Sequence, residues 1–303
     1  DGDAMVVGSL FGDGAAPGSG AVHLYRKAVD GSWNEEAELI GNDVGSGFWF
    51  GKHVAIDGAC ILVGSPQEWL GTTGAAYVFR HDGNSWRQEA KLLPGDMPAG
   101  GRFGAGVSVD GDRIIVGAYL AQGIGQAYVY ERDSGQWLER ARLPSPGGVW
   151  HFASHSVAIR GDHDIAGSPF DPERGDSAGA VFTYRRVDGL WALEQKLVAA
   201  DGVASDQFGW WADSDGNQVI VGAPEKGQMG AAYIFERAGS TWVQAAKLLA
   251  DDAAPGDAFG YWCSLKGEWA AVGARGADAK GLDSGAAYLF HREAGVWSQH
   301  SKV

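Results

Sequence analysis

The sequence predicts an all-β fold, a β-propeller of four-stranded antiparallel blades, and three observations carry that reading. Tryptophan recurs at Trp33, Trp86, Trp137, Trp191, Trp242 and Trp297, at separations of 53, 51, 54, 51 and 55 residues. Glycine supplies 48 of the 303 residues, without a period of three, beside 45% apolar residues; this composition fits many short strands joined by tight turns. Each tryptophan also follows the same strand-like segment: GAVHLYR (20–26), GAAYVFR (74–80), GQAYVYE (125–131), GAVFTYR (179–185), GAAYIFE (230–236) and GAAYLFH (285–291). A period near 50 residues with four strand signals per repeat marks propeller blades, whose radial repetition leaves only short edges.

Within one repeat the strands read in order. Strand a is FGKHVAI (50–56), strand b CILVGS (60–65), strand c AAYVFR (75–80) and strand d WRQEAKL (86–92). The a–b connections carry the Asp-Gly hairpin signal at Asp57-Gly58 and Asp110-Gly111. Strand c alternates in its second half, as a half-buried strand does. The repeats span approximately 1–40, 48–93, 102–143, 150–197, 207–248 and 258–303, forming one domain over 1–303. The first repeat has strands b, c and d but no strand a. The expected count is six blades, or seven if the native chain is longer.

The Phe-Gly elements at Phe50-Gly51, Phe103-Gly104, Phe208-Gly209 and Phe259-Gly260, the variant Phe152-Ala153, and the GSP or GAP segments at 64–66, 167–169 and 222–224 resemble the FG-GAP repeat family. The similarity is to its bacterial-type, calcium-loop-free branch, related to the integrin α-subunit propeller. The resemblance covers essentially the whole chain and implies a secreted or cell-surface propeller. It specifies no single activity. The integrin-like branch carries D-x-D-x-D-G calcium loops between strands a and b. Here that connection is DG, RGDHD (160–164) or DSDGN (213–217), so Asp162 with Asp164 and Asp213 with Asp215 read as solvated turn carboxylates. Calcium needs six to eight oxygens, and no metal or other cofactor is expected.

The formal net charge of −14 makes nucleic acid and anionic membrane poor partners. No apolar run is long enough to span a bilayer. The chain opens on Asp1 with no basic-then-apolar leader, as a processed or trimmed form does. Cys60 and Cys263 fall in distant repeats and are expected to be buried thiols.

Function is expected where the repeats differ. In a propeller, strand a lines the central channel, and the d–a and b–c loops open on one face. Those positions carry Trp49, Lys52, His53, Trp69, Trp150, His155, Trp210, Trp211, Tyr261, Trp262 and Arg275, the expected ligand-binding residues, with Phe11, Arg102, Tyr119, His151 and Phe170 nearby. Large exposed aromatic patches mark binding surfaces, and indoles suit sugar rings and protein hot spots. The leading reading is a secreted or cell-surface binding propeller whose partner is a carbohydrate or glycoconjugate, or a small aromatic or apolar ligand, with a protein surface second. An enzyme of lyase, hydrolase or cyclase type is the alternative, with His53, His155, Tyr261 and Arg102 as catalytic candidates. No Gly-x-Ser-x-Gly elbow accompanies them. A third alternative is a structural module of a larger surface assembly, docked through the unpaired edge of the first blade. Arg174-Gly175-Asp176 reads as a solvated loop.

Overall fold

A computed structural model describes residues 2–67, 71–95, 99–121, 125–144, 156–279 and 281–303. Its 23 strands form one three-stranded and five four-stranded antiparallel sheets, each with its strands paired in chain order. These are the six blades of a β-propeller.

The first unit, Asp1–Pro144, holds three blades. Blade 1 comprises β1 (Ala4–Ser9), β2 (Ala21–Lys27) and β3 (Trp33–Leu39). Blade 2 comprises β4 (His53–Asp57), β5 (Cys60–Ser65), β6 (Ala75–His81) and β7 (Trp86–Leu92). Blade 3 comprises β8 (Phe103–Asp110), β9 (Arg113–Ala118), β10 (Gln126–Asp133) and β11 (Gln136–Pro144). The second unit, Ser145–Val303, holds the other three. Blade 4 comprises β12 (Val157–Arg160), β13 (His163–Ser168), β14 (Ala180–Val187) and β15 (Leu190–Leu197). Blade 5 comprises β16 (Trp211–Ser214), β17 (Gln218–Ala223), β18 (Ala231–Ala238) and β19 (Thr241–Leu248). Blade 6 comprises β20 (Phe259–Lys266), β21 (Trp269–Ala274), β22 (Ala286–Glu293) and β23 (Val296–Lys302). Blade 1 has three strands, as expected of a repeat without strand a.

Within each unit, a Phe-Gly pair joins a blade to the one before it. Phe259 packs edge-on against Tyr288 and Phe290 of its own blade, with ring centroids 5.4 and 5.9 Å apart. Its backbone N–H donates to the Met229 carbonyl of blade 5 at 2.9 Å. Phe50, Phe103 and Phe208 repeat the arrangement, donating to Ser19, Thr73 and Ala178. Gly260, at φ +92°, allows the close approach: a Cβ there would lie 2.3 Å from the Ala231 oxygen.

The strand-d tryptophans fasten neighbouring blades within each unit. Trp86 Nε1 donates to Glu36, Trp137 Nε1 to Glu89 and Trp242 Nε1 to Glu194, at 2.8–2.9 Å. Trp33, with no earlier blade in its unit, is 41% exposed. The acceptor glutamate stands three residues after the preceding blade's tryptophan. In blade 5 that position is Ala245, and Trp297 Nε1 of blade 6 is buried without a hydrogen-bond partner. Arg292 turns instead to Glu236, 2.8 Å away. Ala245→Glu is therefore expected to raise stability by about 1 kcal/mol by giving that indole N–H an acceptor, read as a higher urea midpoint with an unchanged slope.

A second repeated device joins strands c and d to the loop ahead. Tyr77, Tyr233 and Tyr288 donate to Asp43, Asp201 and Asp252 at 2.8–2.9 Å. Lys91, Lys247 and Lys302 pair with the same carboxylates. The lysine contact, with the tyrosine bond, holds the Asp43 and Asp252 carboxyls below the usual aspartate range. At Asp201 burial pushes upward, but the bonds from Lys247 and Tyr233 outweigh it. Lowered folded-state values make these groups stabilising above the ordinary aspartate value of about 3.9, and that contribution is lost as pH falls through the lowered values. Stability measured by urea between about pH 5 and pH 3 is expected to fall less steeply in Asp201→Asn than in the parent chain.

Both cysteines are buried free thiols. Burial pushes Cys60 up to about 12 and raises Cys263 as well, so both are inert.

Candidate functional site

The residue before each Phe-Gly pair takes a left-handed backbone: Trp49 (φ 55°), Arg102 (φ 65°), Gln207 (φ 55°) and Ala258 (φ 54°). Its carbonyl accepts from the N–H three residues on, in Lys52, Ala105, Trp210 and Tyr261. The four-residue turn buries the phenylalanine and leaves its first and last residues partly open, except in blade 3, where the last residue, Ala105, is buried. Sequence variation at those two corners therefore changes the loop surface without disturbing the blade. The d–a and b–c loops meet here, since Gly256 N–H donates to the Gln228 carbonyl and Gly276 N–H to that of Asp257, at 2.8 and 2.9 Å.

In the second unit this construction assembles a continuous aromatic row. Phe170, from the b–c loop of blade 4, meets the Trp210 ring edge-on at 6.5 Å. Trp210 meets Tyr261 at 5.4 Å, and Tyr261 meets Trp262 at 4.5 Å. Arg275 lays its guanidinium 4.4 Å from the Tyr261 ring centroid and donates through Nη1 to the tyrosine oxygen at 3.2 Å. Arg275 is exposed, Phe170 lies at the border of exposure, and Trp210 and Tyr261 are half-buried. The cluster offers flat apolar faces beside one cation.

The first unit carries a smaller version. Phe11 meets Trp49 edge-on at 6.0 Å, and Lys52 Nζ stands 5.2 Å from the Trp49 ring centroid. Arg102 Nη1 donates to the Gln67 carbonyl at 3.3 Å. His53 is half-buried at the start of β4, opposite Gly64. Trp69, Trp150, His151 and His155 lie outside the described residues, and with them the expected pairing of His53 with His155.

Trp211 lies in different surroundings from Trp210. It is half-buried and packs on the core that Ile220, Ile234 and Leu248 of blade 5 form with Cys263 and Leu265 of blade 6. The reason is register: Trp210 ends the turn, whereas Trp211 begins β16 opposite Gly222. Trp262 occupies the same register in blade 6, opposite Gly273, yet is 48% exposed. The signal was legible in the sequence, since both tryptophans follow Phe-Gly by the same spacing.

The turn carboxylates act as braces. Asp213 Oδ2 accepts from Ser264 Oγ and from Leu265 N–H at 2.9 and 3.1 Å, and Asp215 Oδ2 from Gly267 N–H at 3.0 Å. Burial pushes the Asp213 carboxyl upward. Among the described residues no group of three His, Cys, Asp or Glu side chains is placed to hold a metal ion. Arg174 and Asp176 are exposed, and the Asp176 carbonyl accepts from Ser205 N–H at 2.8 Å.

Comparison with known proteins agrees with this architecture. The family model described as FG-GAP repeat matches residues 33–79, 86–130, 191–235 and 242–290. No curated protein matches the chain. Among solved structures, one similar chain is a protein from Bacteroides fragilis NCTC 9343 assigned as a 6-phosphogluconolactonase. It superposes with a TM-score of 0.60 at 12% identity, covering 100% of this chain and 82% of that one. At that identity the likeness is one of fold. Among the described residues no helix is long and apolar enough to cross a membrane.

Proposed function

The chain belongs to the FG-GAP repeat family, and on that footing we infer an extracellular or cell-surface propeller that binds a carbohydrate or glycoconjugate. The observation that carries the reading is the row Phe170–Trp210–Tyr261 with Arg275 stacked on its end. Aromatic faces of this kind hold the C–H faces of sugar rings, and a neighbouring guanidinium supplies directional donors. The row rests on three different blades of one unit, so its spacing is set by rigid sheets rather than by one loop. The Phe11–Trp49–Lys52 patch repeats the same pairing of indole and cation. A protein surface is the second partner for such a patch, because aromatic and arginine side chains also dominate interface hot spots.

A glycan array followed by titration calorimetry tests the reading. Binding is expected to weaken by at least about tenfold in Trp210→Ala and in Tyr261→Ala, with folding intact by circular dichroism. Retention of no glycan, or affinity indifferent to both substitutions, overturns it.

A further inference from the structure

Arg275 breaks the repeat at the end of strand b. The residue that leaves this strand is Leu10, Pro66, Tyr119, Pro169, Pro224 or Arg275 in the six repeats, so the blade itself does not call for a cation there. The ring beneath it is a second departure. The residue directly after Phe-Gly is Lys52, Ala105, Trp210 or Tyr261, and only in blade 6 does a tyrosine meet an arginine.

Arginines at the end of strand c are neutralised. Arg26, Arg80, Arg132, Arg237 and Arg292 each have a carboxylate oxygen 2.6–3.2 Å away. Arg275 differs: its polar partner is the Tyr261 oxygen, and among the described residues no carboxylate joins it. Two acids of the surrounding loops are engaged elsewhere, since Asp257 Oδ2 accepts from Ala254 N–H and Asp278 Oδ1 from Asp283 N–H, both at 2.8 Å. A guanidinium carries five N–H donors in a planar fork. The bond to Tyr261 uses one of them, from Nη1, and the stacked ring orients the group. The exposed edge of Nε and Nη2 keeps two parallel donors with no protein acceptor among the described residues. A planar carboxylate fills such an edge with two bonds.

We propose that the sugar held by this row is a hexuronate, its ring against Trp210 and Tyr261 and its carboxylate on the Nε–Nη2 edge of Arg275. The proposal rests on the reading of the row as a carbohydrate site and names the class of sugar. The net charge of −14 repels anions in general, so an acidic ligand needs a cation fixed at the point of contact. Hydrogen bonds from that cation to a charged acceptor are also roughly twice as strong as those to a neutral one, which selects the acid over its uncharged counterpart.

The test is titration calorimetry of the whole chain against trimers of galacturonate, glucuronate, mannuronate and guluronate, each beside its methyl ester, and against a galactose trimer bearing a single sulfate. The ester keeps the ring and removes the charge. At least one uronate is expected to bind at least about tenfold more tightly than its ester. Arg275→Ala is expected to abolish that preference while leaving the melting temperature unchanged, because the side chain is exposed and its one polar bond lies within blade 6. Arg275→Lys keeps the charge but not the fork, and is expected to recover only part of the preference. The proposal is overturned if acid and ester bind alike, if the preference survives Arg275→Ala, or if the sulfated trimer binds as tightly as the best uronate. In each of those cases, binding that still depends on Trp210 and Tyr261 leaves the sugar site standing and removes only the uronate. No binding of any probe up to ~1 mM also removes the uronate alone if a neutral glycan is retained on the array; if none is retained, both readings fall.

Discussion

Phe259→Ala is expected to lower the unfolding free energy by about 3–5 kcal/mol, the range for emptying a fully buried aromatic site. The phenyl ring is 0% exposed and makes edge-on contacts with both Tyr288 and Phe290. The cavity cannot close easily, because the Phe259 backbone is held by the Met229 carbonyl and paired with Gly230. The surrounding sheets are fixed by ladders on both sides, so relaxation into the space is restricted. Phe259→Leu fills most of the volume and keeps the backbone clasp, and is expected to cost less than half as much. Urea unfolding of the two variants checks both the size and the order of the effects. A loss below about 1 kcal/mol for the alanine variant contradicts the account of Phe-Gly as the joint between blades.

The blades were legible from the sequence because their physical requirements recur. The c-strand segments GAAYVFR and GAAYIFE need glycine where the next backbone approaches, tyrosine to reach the loop aspartate, and phenylalanine or tyrosine to meet the Phe-Gly ring. Six repetitions of one constraint leave a visible period. The site was less legible, because it depends on a difference of one residue in register. Trp210 and Trp211 are neighbours in sequence, yet one closes a turn on the loop side and the other enters a strand whose side chains alternate between blade faces. Trp262 stands at the register of Trp211 and yet is 48% exposed, a difference that the spacing after Phe-Gly does not carry. The Trp–Glu fastening was hidden for a different reason: its acceptor is supplied by the blade before, about 48 residues away.

That fastening yields the second large effect. Glu194→Ala is expected to destabilise the chain by about 3–5 kcal/mol, because it leaves a largely buried guanidinium without its counter-charge. Glu194 accepts from Arg237 Nη2 at 2.6 Å and from Trp242 Nε1 at 2.9 Å. Its side chain is 9% exposed and that of Arg237 16%, so water replaces neither bond well. Glu194→Gln retains an acceptor for the indole and is expected to cost less, which separates the charge from the hydrogen bond. The same site bears on acid stability through His163, whose Nδ1 lies 3.5 Å from Glu194 Oε2 and 2.9 Å from Arg237 Nη1. Burial first, and then the Arg237 charge, lower the His163 value, while Glu194 opposes them. A lowered folded value means the contribution is complete above the ordinary histidine value of about 6.5 and is lost as pH falls through and below it. Removing Glu194 lowers the folded value further and widens the gap from the unfolded one. The fall in stability between about pH 7 and pH 5 is therefore expected to be steeper in Glu194→Ala than in the parent. In a Glu194→Ala, His163→Phe double variant that extra steepness should vanish, and its persistence would show that the histidine plays no part.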